Sequence, residues 1–181
     1  MDPAVETRLA SPVIEDIRTL ALVAATMTMG LMAGYFALYA HTIMPGLGNT
    51  DDRTFVGSFQ AIDRAIINPW FMVSGFLGSL LFTILAAALS LGADQRRLLV
   101  WVVAALVLYL VAFVITIAVH LPLNDALKAA GSPDRIADLG QVRAAFNEAK
   151  WVGWNLVRAV TTTAAFGCLA WSLVLHGRLS A

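Results

Sequence analysis

His41, Asp63, His120 and Arg158 are the side chains of this 181-residue sequence best suited to chemistry in apolar surroundings. An imidazole can pass a proton, ligate a metal or simply hydrogen-bond, and taken singly each histidine is most economically a satisfied interfacial residue. Together with Asp63 they supply the ligand types of a non-haem iron or copper site, which makes His41, Asp63 and His120 a candidate metal set. Arg158 is the most informative of the four. It lies about two turns inside a long apolar stretch, where a charge costs from about 3 kcal/mol upward, so it is expected to face a polar cavity. Asn155, Trp154 and Trp151 precede it at helical spacings and Thr162 follows on the next turn, putting indoles, an amide and a guanidinium on one helix face. An interfacial aromatic belt accounts for Trp151 equally well. Asn155, four residues deeper, wants a specific partner.

The elements that position these residues follow from hydropathy. Hydrophobic residues are 59% of the chain and charged residues 13%, far from an ordinary soluble composition. The sequence reads as an integral membrane protein. Formal net charge is zero, without the basic footprint of a nucleic-acid binder. The lone Cys168 lies in an apolar run and is read as a small filler, with no paired thiol for disulfide chemistry. Stretches 17–39, 71–91, 98–121 and 152–175 are long enough to span a hydrocarbon core of about 20 helical residues. No run alternates like a barrel strand, so the spans are helices. Glu6, Glu15 and Asp16 in the leader argue that the first span is retained and not a cleaved signal. Within it, Met27, Met29 and Met32 are expected in packing, and Gly30 and Gly34 in a close small-xxx-small helix contact.

Two long connections flank the short turn "GADQRR", which places both long ones on the same side. Arg96 and Arg97 in that turn, with Arg8 and Arg18 near the amino end, argue that both termini are cytoplasmic, and a bacterial inner membrane is the expected location. The long connections carry Arg53, Arg64, Lys128, Arg135, Arg143 and Lys150, which weigh the other way. Residues 53–67, placed at about 100° per residue, bring Phe55, Phe59, Ile62 and Ile66 to one face, with Val56 and Ile67 at its edge. Asp63 falls inside that apolar arc and Arg64 opposite it. A second amphipathic helix is expected over 134–149, opened by "SPD" and turning Leu139, Val142 and Phe146 inward. The expected fold is all-α: residues 1–181 form one domain, a four-transmembrane-helix up-and-down bundle with two amphipathic helices in the long loops on one side. In that topology "YAHTIMPGL", "INPWF", "VHLPLND" and "WVGWNLVRA" meet at one end, gathering His41, Asn68, His120, Asn124, Trp151, Trp154, Asn155 and Arg158. Pro122 also leaves nearby carbonyls without their helix donor.

Four blocks, "AGYFALYAHTIMPGL", "FQAIDRAIINPWF", "HLPLNDAL" and "WVGWNLVRA", in this order and covering nearly the whole chain, resemble the anthrone oxygenase-like group of four-helix membrane proteins. The resemblance marks Met44, Pro45, Gly46, Gln60, Asn68, Pro69, Pro122, Leu123, Asn124, Trp154, Asn155 and Arg158. The chain departs from the pattern at Asp63 and His120, where asparagine is common, and at His41, where an apolar or small residue is common. The resemblance implies oxidation of anthrones to anthraquinones with molecular oxygen, without a conventional organic cofactor. A membrane-borne flat aromatic, anthrone-like or quinol-like, is then the expected substrate. His120 would be the general base, Asp63 its orienting group, and Arg158, Asn124, Asn155 and Gln60 donors to an oxyanion. Asn68 would line the substrate site, and Trp151 and Trp154 would stack on the ring system. The cofactor is open between none and a non-haem iron or copper ion held by His41, Asp63 and His120.

A second function class stays open: a non-catalytic membrane protein whose polar end binds a lipid, a quinone or a partner subunit, with Arg158 paired to Asp63 or Asp125. The expected partners are a hydrophobic small molecule from the bilayer, membrane lipids and, as an open alternative, a second copy in a homo-oligomer. A structural network should fill its own volume with every donor paired, whereas a ligand site needs a cavity lined by His120 and Arg158.

Overall fold

The computed structural model describes residues 3–179, with side chains from residue 12 onward. Glu6 and Arg8, used above for the leader and the orientation, lie outside the described side chains. The first span is α1 (Pro3–Leu38), prolonged by a π-helical segment, Tyr39–Ile43, and the short α2 (Met44–Gly48). A lid helix α3 (Asp52–Ile66) follows. The second span joins a π-helical start, Phe71–Phe76, to α4 (Leu77–Ala88). The third runs through α5 (Arg96–Ile115), the π-helical Thr116–His120 and α6 (Leu121–Ala129). The second lid helix α7 (Leu139–Phe146) leads into α8 (Glu148–Leu179). No strand occurs among the described residues.

Pro12–Gly48, Phe71–Ala88, Ala93–Ala129 and Leu139–Leu179 contain the four stretches long and apolar enough to cross a membrane, as the hydropathy predicted. α1 and α5 each pack against both α4 and α8, which closes the bundle. α8 has 32 residues, about 48 Å at 1.5 Å per residue, against a hydrocarbon core of about 30 Å. Its first turns therefore pack under the lid, while a stripe through Asn155, Arg158, Thr162, Ala165, Leu169 and Ser172 stays buried in the bundle.

Two hydrophobic cores result. Leu22, Met29, Met32, Leu98, Val102, Tyr109 and Leu169 fill the bundle. Met44, Phe55, Val56, Phe59, Leu127, Phe146 and Trp151 form a smaller core beneath the lid, with Leu139 and Val142 packed against it. Met29 and Met32 are buried as expected, but Met27 is exposed. The small-xxx-small contact is not made: a Cβ on Gly30 would meet the Phe166 ring, and one on Gly34 would meet nothing.

The lid helices have local causes. Asp51 caps α3, its carboxylate accepting from the Thr54 amide at 3.0 Å and the Thr54 hydroxyl at 2.7 Å. Asp63 is buried in α3 and Arg64 exposed, as the helical angles required, but Ile67 lies beyond the helix and is exposed. The second lid helix is shorter than the periodicity predicted. The "SPD" stretch does not open the helix: Asp134 pairs with Arg53, residues 133–135 form a turn, and Asp138 caps α7 by accepting from the Gln141 amide at 2.9 Å. At the other end Asn147 takes φ 53°, a left-handed conformation that asparagine tolerates, and its side chain accepts from the Lys150 amide at 3.2 Å to start α8.

Arg143 ties the two loops together. It donates to the carbonyls of Thr50 at 2.8 Å and Gly48 at 3.1 Å, pairs with Asp52 and Glu148, and lies 4.3 Å over the Phe55 ring. In the sequence it stands out only as a loop charge.

Arg143→Leu should lower stability by about 2–3 kcal/mol, since charge-assisted bonds to partly buried carbonyls are lost without replacement; thermal unfolding in detergent checks this, and an unchanged midpoint would remove the clamp. The Thr54 hydroxyl and amide hold the Asp51 carboxyl below its ordinary value of 3.8. A depressed folded value adds stability above that pH and loses it as pH falls through the folded value. Protection of the α3 amides, corrected for the intrinsic exchange rate at each pH, should therefore fall between about pH 5 and about pH 2, and less so in Thr54→Val.

Candidate functional site

Three helix ends at the lid side of the bundle leave α-helical geometry: Tyr39–Ile43, Phe71–Phe76 and Thr116–His120. Two of these segments are followed at the second position by Pro45 and Pro122. A proline ring crowds the carbonyl four residues back and offers no N–H, and a widened turn accommodates both. In the second span the widened turn brings the Val73 carbonyl so close to Gly78 that no Cβ fits there. Tyr39, Phe71, Phe76, Thr116 and His120, one or two from each widened segment, line a common cavity of about 220 Å³ between the bundle and the lid. Phe59 and Asp63 of α3 close it above, Asn124 of α6 and Trp151 and Arg158 of α8 close its far side, and Ile67 and Leu121 are its exposed lining residues.

Arg158 is 5% exposed. Its terminal nitrogens donate to Thr116 Oγ1 at 3.0 Å and Asn155 Oδ1 at 2.8 Å. Asn155 in turn donates to the Phe36 carbonyl at 3.0 Å, which fixes its amide. The guanidinium carbon lies 4.3 Å from the Phe36 ring centroid and 5.5 Å from that of Trp151. Arg158 Nε has no acceptor, and among the described residues no carboxylate pairs with the guanidinium. The expected pairing of Arg158 with Asp63 or Asp125 is therefore not made. A buried cation held only by neutral groups retains most of its charge for a ligand.

Asp63 and Asp125 have partners other than Arg158. Asp63 Oδ1 accepts from Asn124 Nδ2 at 2.7 Å, and Asn124 Oδ1 accepts from Trp151 Nε1 at 2.9 Å. Lys128 Nζ stands 2.9 Å from both Asp63 Oδ2 and Asp125 Oδ1, linking the cavity carboxylate to an exposed one. Asp63 does not orient His120, the relation expected from sequence. His120 is buried with Nε2 3.2 Å from the Trp151 carbonyl and Nδ1 3.4 Å from the Ile115 carbonyl, and its ring sits edge-on to Trp151 at 4.8 Å. Both ring nitrogens face acceptors, so the geometry uses the imidazole as a donor that steadies Trp151.

Other predicted site residues have different placements. Gln60 is buried but donates to the carbonyls of Leu127 at 2.8 Å and Gly131 at 3.0 Å, joining α3 to α6 outside the cavity. Asn68 is exposed and caps the second span, accepting from the Phe71 amide at 2.9 Å. Trp154 is 42% exposed, because only Trp151 of the two indoles falls on the buried stripe of α8. His41 is exposed and bonded to the Thr42 hydroxyl at 2.6 Å. His41 is thus separated from Asp63 and His120, and among the described residues no group of three His, Cys, Asp or Glu is placed to hold a metal. The side chains present do not fit the three-ligand centre considered from sequence.

Tyr39 and Thr116 carry no site signal in the hydropathy reading, and Lys128 figures there only as a loop charge. Thr116 and His120 are four residues apart in an otherwise apolar run, a helical-face pairing that could have revealed the first. Lys128 similarly follows Asn124 by four.

Residues 69–168 match the family model described as anthrone oxygenase. The match contains Thr116, His120, Asn124, Trp151, Asn155 and Arg158, while Tyr39 and Asp63 precede it. The comparisons with curated proteins and with solved structures each return no match. With more than half its length in the family match, including the helices that carry the buried guanidinium, the chain belongs to the anthrone oxygenase family.

Proposed function

We propose that the protein is a membrane-embedded oxygenase that oxidises a flat, hydrophobic aromatic, anthrone-like or quinol-like, with molecular oxygen. The observation that carries this reading is the buried, acid-free guanidinium of Arg158 in an aromatic-walled cavity. A network that only tied helices together would fill its own space and pair its donors; here a cavity remains and Arg158 Nε has no acceptor. The exposed Ile67 and Leu121 offer an apolar mouth suited to entry from the bilayer. On the short-turn arginines Arg96 and Arg97, the termini are cytoplasmic and the site lies at the outer face.

An anthrone carries a benzylic C–H made acidic by its carbonyl. Asp63 is the carboxylate lining the cavity and takes that proton; the electron pair moves onto the carbonyl oxygen, where Arg158 stabilises the enolate. Thr116 and Asn155 hold the guanidinium in place, so little reorganisation accompanies the charge shift. The enolate carbon reduces oxygen and bonds to it, and the proton on Asp63 returns to the resulting peroxide. Loss of the second C–H proton with cleavage of the O–O bond leaves a carbonyl and water, so one oxygen atom enters the product. Trp151, held by Asn124 and His120, forms a wall of the aromatic slot. This assignment makes Asp63 the base and His120 a positioning residue.

Oxygen uptake with anthrone as substrate, measured on protein in lipid nanodiscs, tests the reading. Asp63→Asn should lower kcat by about 10²-fold or more, and His120→Asn by less; the reverse ranking would return the base role to His120. Arg158→Leu should lower kcat/KM by about 10²-fold at little change in thermal midpoint. Wild-type protein that neither binds nor oxidises anthrones would sink the oxygenase reading.

A further inference from the structure

Tyr39 is a cavity-lining polar side chain left without a role by the chemistry above. It stands on the first widened turn, and its ring centroid lies 5.5 Å from that of Trp151. The Arg158 guanidinium carbon lies at the same 5.5 Å from the Trp151 ring. Phenol and guanidinium thus flank one indole in one cavity. The Tyr39 hydroxyl makes no hydrogen bond to any described residue. The contrast with Tyr109 is direct: that phenol, packed in the bundle, donates to the Phe76 carbonyl at 2.7 Å. Of the two tyrosines on the cavity wall, Tyr39 is the one packed beside Trp151, whereas Tyr35 packs edge-on against Phe71 with ring centroids 5.2 Å apart. Arg158 Nε, also without an acceptor and on a side chain 5% exposed, is the second donor left unmatched there.

We propose that Tyr39 and Arg158 together clamp the oxygen of the bound ligand, so that the cavity selects aromatics bearing a hydroxyl or carbonyl oxygen over the same ring system without one. The proposal rests on the reading of the cavity as the substrate site but not on turnover. Two donors left unpaired reject an oxygen-free analogue more strongly than an apolar pocket of equal shape would, because that analogue leaves both unsatisfied. Ring packing against Trp151 survives in Tyr39→Phe, so the loss should appear only with oxygen-bearing ligands.

Equilibrium dialysis of the full chain in phosphatidylcholine nanodiscs, corrected against empty nanodiscs, with 2-naphthol and 2-methylnaphthalene as probes, tests this. Wild type should prefer 2-naphthol, and Tyr39→Phe should reduce that preference about ten-fold with 2-methylnaphthalene binding unchanged. Tyr39→Leu, an independent replacement without a hydroxyl, should show the same loss. No preference in wild type, an undiminished preference in both variants, or equal weakening for both probes would overturn the proposal. Oxygen uptake with anthrone in the same nanodiscs is a separate readout: preference without uptake would refute the oxygenase and leave the clamp standing.

Discussion

A guanidinium buried in the bundle and paired with no carboxylate among the described residues is the constraint around which the lid-side half of the protein is arranged. Such a charge is tolerated when its hydrogen bonds are largely met and its faces are covered. Thr116 and Asn155 meet them from two helices, and Phe36 and Trp151 cover it. Each support is itself supported: Asn155 by the Phe36 carbonyl, and Trp151 by Asn124 and by the His120 edge. The result is a charge oriented by neutral dipoles, which suits the stabilisation of negative charge arising on a ligand.

The cavity beside it comes from an interrupted helical register. Regular α-helices pack at the lid-distant end, where Leu98, Val102 and Leu169 interdigitate. Near the lid, widened turns in three spans alter the direction of the side chains, and the bundle opens. Prolines close behind two of those turns give a backbone cause that does not depend on any ligand. The lid's own hydrophobic core then roofs the opening, with Trp151 shared between that core and the cavity wall.

Asp63 and His120 show how neighbours decide the roles of two residues capable of the same chemistry. The imidazole is hemmed by two backbone carbonyls, while the carboxylate borders the cavity and reaches an exposed aspartate through Lys128. The amide of Asn124 joins the carboxylate to the indole, so the proposed base and the aromatic wall move as a unit.

Hydropathy and periodicity along the chain suffice for the spans, the gathering of polar residues at one end, the inward face of Asp63 and the burial of Arg158. Hydrophobic length and the 3.6-residue period are local properties, and an up-and-down topology leaves little freedom in which ends meet. Which of the gathered residues share a cavity follows from how the helices pack and turn against one another. Asn68 lies in the bend before the second span and became its cap, and Trp154 faces outward from α8 because a few tens of degrees of helix rotation separate wall from surface. His41 and His120 both lie in π-helical segments that precede a proline, four residues before it in one case and two in the other, but one ended exposed and the other buried against Trp151. The partners of Asp63, the idle hydroxyl of Tyr39 and the extent of α7 depended on contacts between segments distant in the chain, which no period along the sequence encodes.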